Sequence, residues 1–143
     1  MAVVSTWFPL PPVPLLVDAA EPYLVLESRL DDFRGYLASV RARTVDVEIG
    51  GVSDVTAVVG ALKTVLPFPD WCGSSWDSIE DAFEEIRQGW SFPLVVVVHG
   101  LRSLIDRKPH LALEVVIRMS GLSHAFSVAD DQMMVTYVGR DWG

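Results

Sequence analysis

Between Thr64 and Ile86 the chain carries six carboxylates, Asp70, Asp77, Glu80, Asp81, Glu84 and Glu85, and no lysine, arginine or histidine. Asp77 and Asp81 are four residues apart, as are Glu80 and Glu84 and also Asp81 and Glu85, a spacing that puts each pair on one helix surface. Each like-charge pair costs an isolated helix about 0.2–0.5 kcal/mol, and Asp in a helix interior adds a few tenths. The positive end of the helix dipole offsets part of this at Asp77 and little at Asp81, one turn further in. Such a surface can accept paired hydrogen bonds from arginine and attract a basic partner. A solvated face is the ordinary alternative, but helices built for solubility mix both signs. This one is also flanked by Trp71, Trp76 and Trp90, a residue type enriched among binding anchors, although a tryptophan on a helix face is more often core.

Other chemistry has thinner support. His99, His110 and His124 stand without a nucleophile elbow, a His-rich metal motif or a phosphate-binding glycine loop. No catalytic residue, metal ligand or cofactor is assigned, and the chain reads as a binding protein rather than an enzyme. Cys72 is the single cysteine, so it forms no intramolecular disulfide and no Cys-Cys metal pair. Acidic neighbours disfavour its thiolate, which leaves it as a small apolar packing residue.

A length of 143 residues fits one domain. Half of them are hydrophobic, and the apolar run Phe92 to Val98 falls short of the roughly 20 residues that span a bilayer. The net charge of -8, from 19 carboxylates against 11 Lys and Arg, repels phosphate backbones and attracts basic proteins, so direct nucleic-acid binding is disfavoured. No basic residue precedes Arg29, so the charged first region of a secretory signal is missing and a cytoplasmic location is expected.

The elements that must position the acidic segment follow from periodicity. Residues 1–22 contain Pro9, Pro11, Pro12, Pro14 and Pro22, which forbid helix and give an extended arm, laid across the core because Trp7, Phe8, Leu15 and Leu16 need burial. Tyr23 to Leu26 reads as a strand, Leu30 to Val40 as a helix with Leu30, Phe33, Leu37 and Val40 on one face, and Val45 to Ile49 as a strand, together a β-α-β unit. Gly50 and Gly51 turn the chain, Ser53 can cap a helix through Val55, Val58, Val59, Leu62, Val65 and Leu66, and Pro67 and Pro69 stop it. The acidic helix starts at Ser74 or Ser75, where Ser74 and Asp77 have the form of a capping box. It runs to about Gln88 with Trp76, Ile79, Ala82, Phe83 and Ile86 as its stripe, and Gly89 ends it. Leu94 to Val98 is unbroken and apolar, as in a central strand covered on both faces. Pro109 opens a long helix through Leu111, Val115, Met119 and Leu122, and Gln132 to Val138 is a last strand. Strands alternating with helices predict a single α/β domain on a parallel or mostly parallel sheet.

The run Phe68-Pro-Asp-Trp-Cys-Gly-Ser-Ser-Trp-Asp-Ser-Ile-Glu-Asp resembles the barstar family, in which a proline-acid-aromatic-aromatic-glycine loop opens an inhibitory helix bearing two aspartates four apart. Gly89-Trp90-Ser-Phe-Pro-Leu-Val is similar to the family's Gly-Trp, Tyr-Pro-Leu-Val passage into the central strand. The resemblance runs from about Val45 to Val138. It implies a three-stranded parallel sheet with flanking helices in a domain over residues 44–143, extended by the arm, strand and helix of residues 1–43 packed on that core. Position by position, Trp71 stands at the first loop aromatic, Gly73 at the glycine, Ser75 at an asparagine and Trp76 at a leucine, while Asp77 and Asp81 coincide with the inhibitory aspartates. The sequence departs from the pattern at Cys72, for the second loop aromatic, and at Glu80, for a tryptophan. The inhibitory helix is about a turn longer, and the later helix's acidic pair appears only as Met119 and Ser123.

The resemblance implies an immunity protein that inhibits a basic secreted ribonuclease of the guanyl type one-to-one, within a bacterial cell, with Asp81 in the place of a substrate phosphate. The expected contacts are Trp71, Gly73, Ser75, Trp76, Asp77, Glu80 and Asp81, with Trp76 and Glu80 bearing on partner choice. No cofactor and no membrane is called for. A second reading is an acidic interaction module that binds another basic protein, a regulator or a non-ribonuclease toxin, through the same helix.

Overall fold

The two most apolar strands take the middle of the sheet and the two polar or short ones take its edges. The structure is a computed structural model that describes residues 7–142; the first six residues of the arm, with the reading of their lack of a signal, and Gly143 lie outside the described residues. In chain order the elements are β1 (Tyr23–Leu26), α1 (Leu30–Ser39), β2 (Arg43–Glu48), α2 (Val55–Val65), α3 (Trp76–Asp81), α4 (Phe83–Gly89), β3 (Leu94–His99), α5 (Leu101–Arg107), α6 (Pro109–Val128) and β4 (Met133–Gly139). The strands are all parallel in the order β1-β4-β3-β2, with Val25 opposite Val138, Val96 opposite Val135 and Val47 opposite Val98. The α/β expectation holds; the sheet has four strands rather than three because β1 adds to the free side of β4.

β3 and β4 are buried along almost their whole length, which is what an unalternating apolar run requires. β2 alternates, hiding Val45 and Val47 and exposing Asp46 and Glu48, so it tolerates an edge. β1 and β2 therefore sit at opposite edges, and residues 23–49 do not form the adjacent β-α-β pair that local order suggests.

Alternation splits the interior into two cores. Val45, Val47, Leu94, Val96, Val98 and Tyr137 face the layer built from α2 to α6. Val25, Val95, Val97, Met134 and Val138 face Phe33 and Leu37 of α1 with Phe8 and Leu16 of the arm. Residues before 44 thus supply the second covering layer. The arm is fastened by reciprocal hydrogen bonds between the Phe8 backbone and the Gln132 carboxamide, both 2.9 Å, and by the Tyr36 hydroxyl donating to the Pro9 carbonyl at 2.6 Å. Glu21 meets His124 at 2.8 Å on α6. Phe8 and Leu16 are buried as expected, whereas Trp7 is 41% exposed: in extended chain, neighbours point to opposite sides, and turning Phe8 inward turns Trp7 outward.

Three local expectations give way. Asp54, not Ser53, caps α2 by accepting the Ala57 N–H at 2.8 Å. The short α5, buried through Leu101 and Leu104, was not anticipated, since a seven-residue helix shows barely two turns of periodicity. It follows Gly100, whose positive φ of 88° and close approach to Gly50 leave no room for a Cβ. α6, a helix of 20 residues, is long and apolar enough by length and composition to cross a membrane, more than the Phe92 to Val98 run suggested. One face, with Val115, Met119, Leu122 and Phe126, lies in the core.

Candidate functional site

The segment between α2 and α3 is held by two hydrogen bonds from outside and a turn of its own. The Trp90 indole donates to the Pro67 carbonyl, the Cys72 N–H donates to the Pro69 carbonyl at 2.9 Å, and the Lys63 ammonium donates to the Cys72 carbonyl at 2.6 Å. Cys72 is buried, in keeping with a small apolar packing residue. At Gly73 a Cβ would stand 2.7 Å from the Ser78 hydroxyl oxygen, so a larger residue there would turn that hydroxyl away from Ser75. Trp90 itself stacks on Phe126 at 5.3 Å and meets Phe68 edge-on at 5.5 Å, which ties the loop to the core beneath.

The cap of α3 differs from the expected capping box. Ser75 is the N-cap, in extended conformation, its oxygen accepting the Ser78 N–H at 3.1 Å. Asp77 is therefore not drawn back into a reciprocal cap, and its carboxylate is left free. The expected continuous helix is also broken at Ala82, into α3 and α4. No proline or glycine stands at the break. The apolar stripe carries on across it: Ile79, Ala82 and Ile86 are buried, and Phe83 meets Phe126 with ring centroids 4.7 Å apart.

The six carboxylates divide into two groups. Glu80 lies 3.6 Å from Arg118 of α6, Glu84 lies 3.3 Å from Arg87, and Glu85 accepts the Trp71 indole N–H at 3.2 Å. Asp70, Asp77 and Asp81 are exposed and, among the described residues, have neither hydrogen bond nor ion pair. Asp77 and Asp81 thus share one surface of α3 with no cation beside them. Trp71 is 57% exposed at the same loop, with Gly73 and Ser75 exposed between them.

Trp76 is placed otherwise. It is 6% exposed, in the core, and its indole N–H is buried without an acceptor, so it stands behind the acidic surface rather than on it. Met119 and Ser123 are buried as well. Sequence reasoning missed Arg118 and Lys63: the first comes from a distant helix, and the second, just before the acidic stretch, gave as its only signal its place at the end of α2.

Elsewhere, at the β2 edge, Asp46 accepts from Arg34 at 2.6 Å and meets His99 at 2.8 Å. The Arg34 hydrogen bond, aided by His99 and opposed by burial, holds the Asp46 carboxyl below its ordinary range. Among the described residues, no three His, Cys, Asp or Glu side chains converge in a way that could hold a metal ion.

A family model described as Barstar (barnase inhibitor) matches residues 42–137, from just before β2 into β4, with the whole acidic surface inside the match. A search of curated proteins returned no match.

Proposed function

The chain belongs to the barstar family, and on that premise we propose that it inhibits a basic microbial ribonuclease of the guanyl type, one-to-one, by inserting Asp77 and Asp81 into the enzyme's anion-binding active site. Family members are inhibitors rather than enzymes, and a protein-binding role of the barnase-inhibitor kind is the part of this reading that membership carries. The observation that supports the rest is the pair of exposed aspartates on α3 with no hydrogen bond or ion pair among the described residues.

The physics of capture follows from that arrangement. A net charge of -8, with Asp77 and Asp81 exposed and unpaired on α3 among the described residues, attracts a basic enzyme and orients the encounter. No internal ion pair has to break before Asp81 accepts charge-assisted hydrogen bonds from an arginine. The loop is already held by Lys63, Trp90 and Ser75, so little ordering entropy is lost on docking. Trp71 offers an exposed aromatic anchor, Gly73 and Ser75 the surface between, and Trp76 supports from behind. Glu80 contributes through its pair with Arg118. In this reading the protein works in the cytoplasm of a bacterium, neutralises a ribonuclease toxin, and needs no cofactor, nucleic acid or membrane.

The test is RNA cleavage by a panel of secreted guanyl-type ribonucleases with the wild-type chain and with Asp81→Ala. Stoichiometric inhibition by wild type, weakened at least about 100-fold in the variant, is expected. Inhibition of none of the enzymes, or equal inhibition by the variant, overturns the proposal. Asp81-dependent binding to a basic protein that does not cleave RNA would replace it with the interaction-module reading.

A further inference from the structure

Between α6 and the arm where it enters β1 lies a cavity of about 340 Å³, a size that suits a small organic molecule. No residue of α3 or α4 lines it, so it is separate from the acidic surface and does not depend on the inhibitor reading. Val116 and Ile117 of α6 and Val135 of β4 make its apolar wall, and Pro22 closes it from the arm. The α6 and β4 residues fall inside the family match, residues 42–137, whereas Glu21, Pro22 and Tyr23 fall outside it. The cavity is therefore built where this chain's extension meets the family's domain.

Tyr137 points to an occupant. It is 2% exposed and lines the cavity, and its hydroxyl has no hydrogen-bond partner among the described residues. Unlike the Trp76 N–H, which is sealed off, that hydroxyl is within reach of solvent. Polar groups so deeply placed are nearly always paired in folded proteins, so this one calls for a group from outside the chain. A water takes up about 30 Å³, and the cavity has room for far more than one. Burial, and after it the charge of Glu21, raise the Tyr137 pKa above the ordinary tyrosine value, so the hydroxyl stays neutral.

The remaining polar groups say which chemistry fits. Glu21 is the one charged residue of the lining. Its Oε2 meets His124 at 2.8 Å and accepts from the Ser120 hydroxyl at 3.2 Å, while Oε1 has no partner among the described residues. The Ser123 hydroxyl donates to the Ser120 carbonyl at 3.0 Å. Both serines have given their protons within the chain, so they and the carboxylate can only accept. With no Lys or Arg in the lining, the cavity presents one negative charge, several acceptors and an apolar wall, which disfavours an anion and suits a cationic donor.

We infer that the cavity binds a small primary amine, alkyl or arylalkyl, as its ammonium ion, with the head at Glu21 and the Tyr137 hydroxyl and the body against Val116, Ile117 and Val135. Because Glu21 also ties the arm to His124, a bound amine holds the arm to the domain and raises Tm.

The experiment titrates phenethylamine and isopentylamine into the full chain, following the Ser120, Ser123 and Tyr137 amide resonances and Tm, beside phenethyl alcohol and phenylacetate. An amine should saturate those shifts and raise Tm, the neutral alcohol should bind at least about 10-fold more weakly for want of the charge-assisted hydrogen bond, and phenylacetate should not bind. Tyr137→Phe, which keeps the ring, should weaken the amine about 2- to 10-fold, and Glu21→Gln at least about 10-fold. Thermal melts check that both variants remain folded, and if Glu21→Gln loosens the arm, Tyr137→Phe decides. No saturable shift with either amine up to about 10 mM, equal binding of the alcohol, or shifts indifferent to Tyr137→Phe overturns the inference, leaving a cavity that holds water only. Tighter binding of Nα-acetyl-lysine methylamide than of either amine overturns it too, in favour of a lysine side chain from a partner protein.

Discussion

Replacing Asp81 should make the free protein more stable while destroying its proposed activity. Asp81 is exposed, unpaired and the last residue of α3, four residues after Asp77. Removing its charge relieves one like-charge pair of about 0.2–0.5 kcal/mol, and Ala in place of Asp recovers up to about 0.5 kcal/mol of helix propensity at a position next to the break. The second like-charge neighbour, Glu85, lies across the Ala82 interruption and is tied to Trp71, so its share is smaller. The sum is about 0.3–1 kcal/mol. At an unfolding entropy of about 2.1 cal/mol/K per residue, that raises Tm by about 1–3 °C. Calorimetry on wild type, Asp81→Ala and Asp81→Asn at low and high salt is the assay. Asp81→Asn isolates the electrostatic part, which should fade at about 1 M salt, where the Debye length is about 3 Å. A loss of more than about 1 kcal/mol in either variant would refute the reasoning, because it would make Asp81 a structural residue rather than one kept at a cost to the free protein.

Association with the inhibited ribonuclease should slow steeply between about 0.01 and 0.15 M salt, as the Debye length falls from about 30 to 8 Å; a rate indifferent to salt in stopped-flow mixing would exclude electrostatic capture. Removal of residues 1–41 uncovers Val95, Val97, Met134 and Val138, a loss of about 1.5–3 kcal/mol each and comparable to a whole domain's stability. The truncated chain should bind ANS and lose its cooperative melt, and a sharp transition near that of the full chain would contradict this. At the β2 edge, a carboxyl held below its ordinary 3.8 lends stability above that value and loses it as the pH falls through the lowered one. Asp46→Asn should therefore be less stable than wild type by under about 1 kcal/mol at about pH 6, the pair being half-exposed. The gap should begin to shrink as the pH falls towards 3.8 and close only below the lowered value, and a gap that does not narrow in acid, measured by urea unfolding, would rule out the Arg34 pairing as its source.

The amino-acid order alone determined the alternation of strands and helices, the central place of the Leu94 to Val98 strand and the concentration of acid before Ile86, because periodicity and composition are local properties of the chain. It also carried the loop pattern that marks the family. Tertiary structure decided the rest. It sent β1 and β2 to opposite edges, since which strands need cover on both faces is settled by comparing all four at once. It broke the acidic helix at Ala82, and of the two serines that could start it chose Ser75 as the cap, without the Ser74–Asp77 box. Above all it supplied partners beyond the local Arg87–Glu84 pair: Arg118 reaches Glu80 and Trp71 reaches Glu85, so that among the described residues Asp70, Asp77 and Asp81 of the six stay free. Charge along a sequence says how much acid a segment holds, but which carboxylates stay unpaired depends also on partners brought across the fold, as Arg118 of α6 is to Glu80.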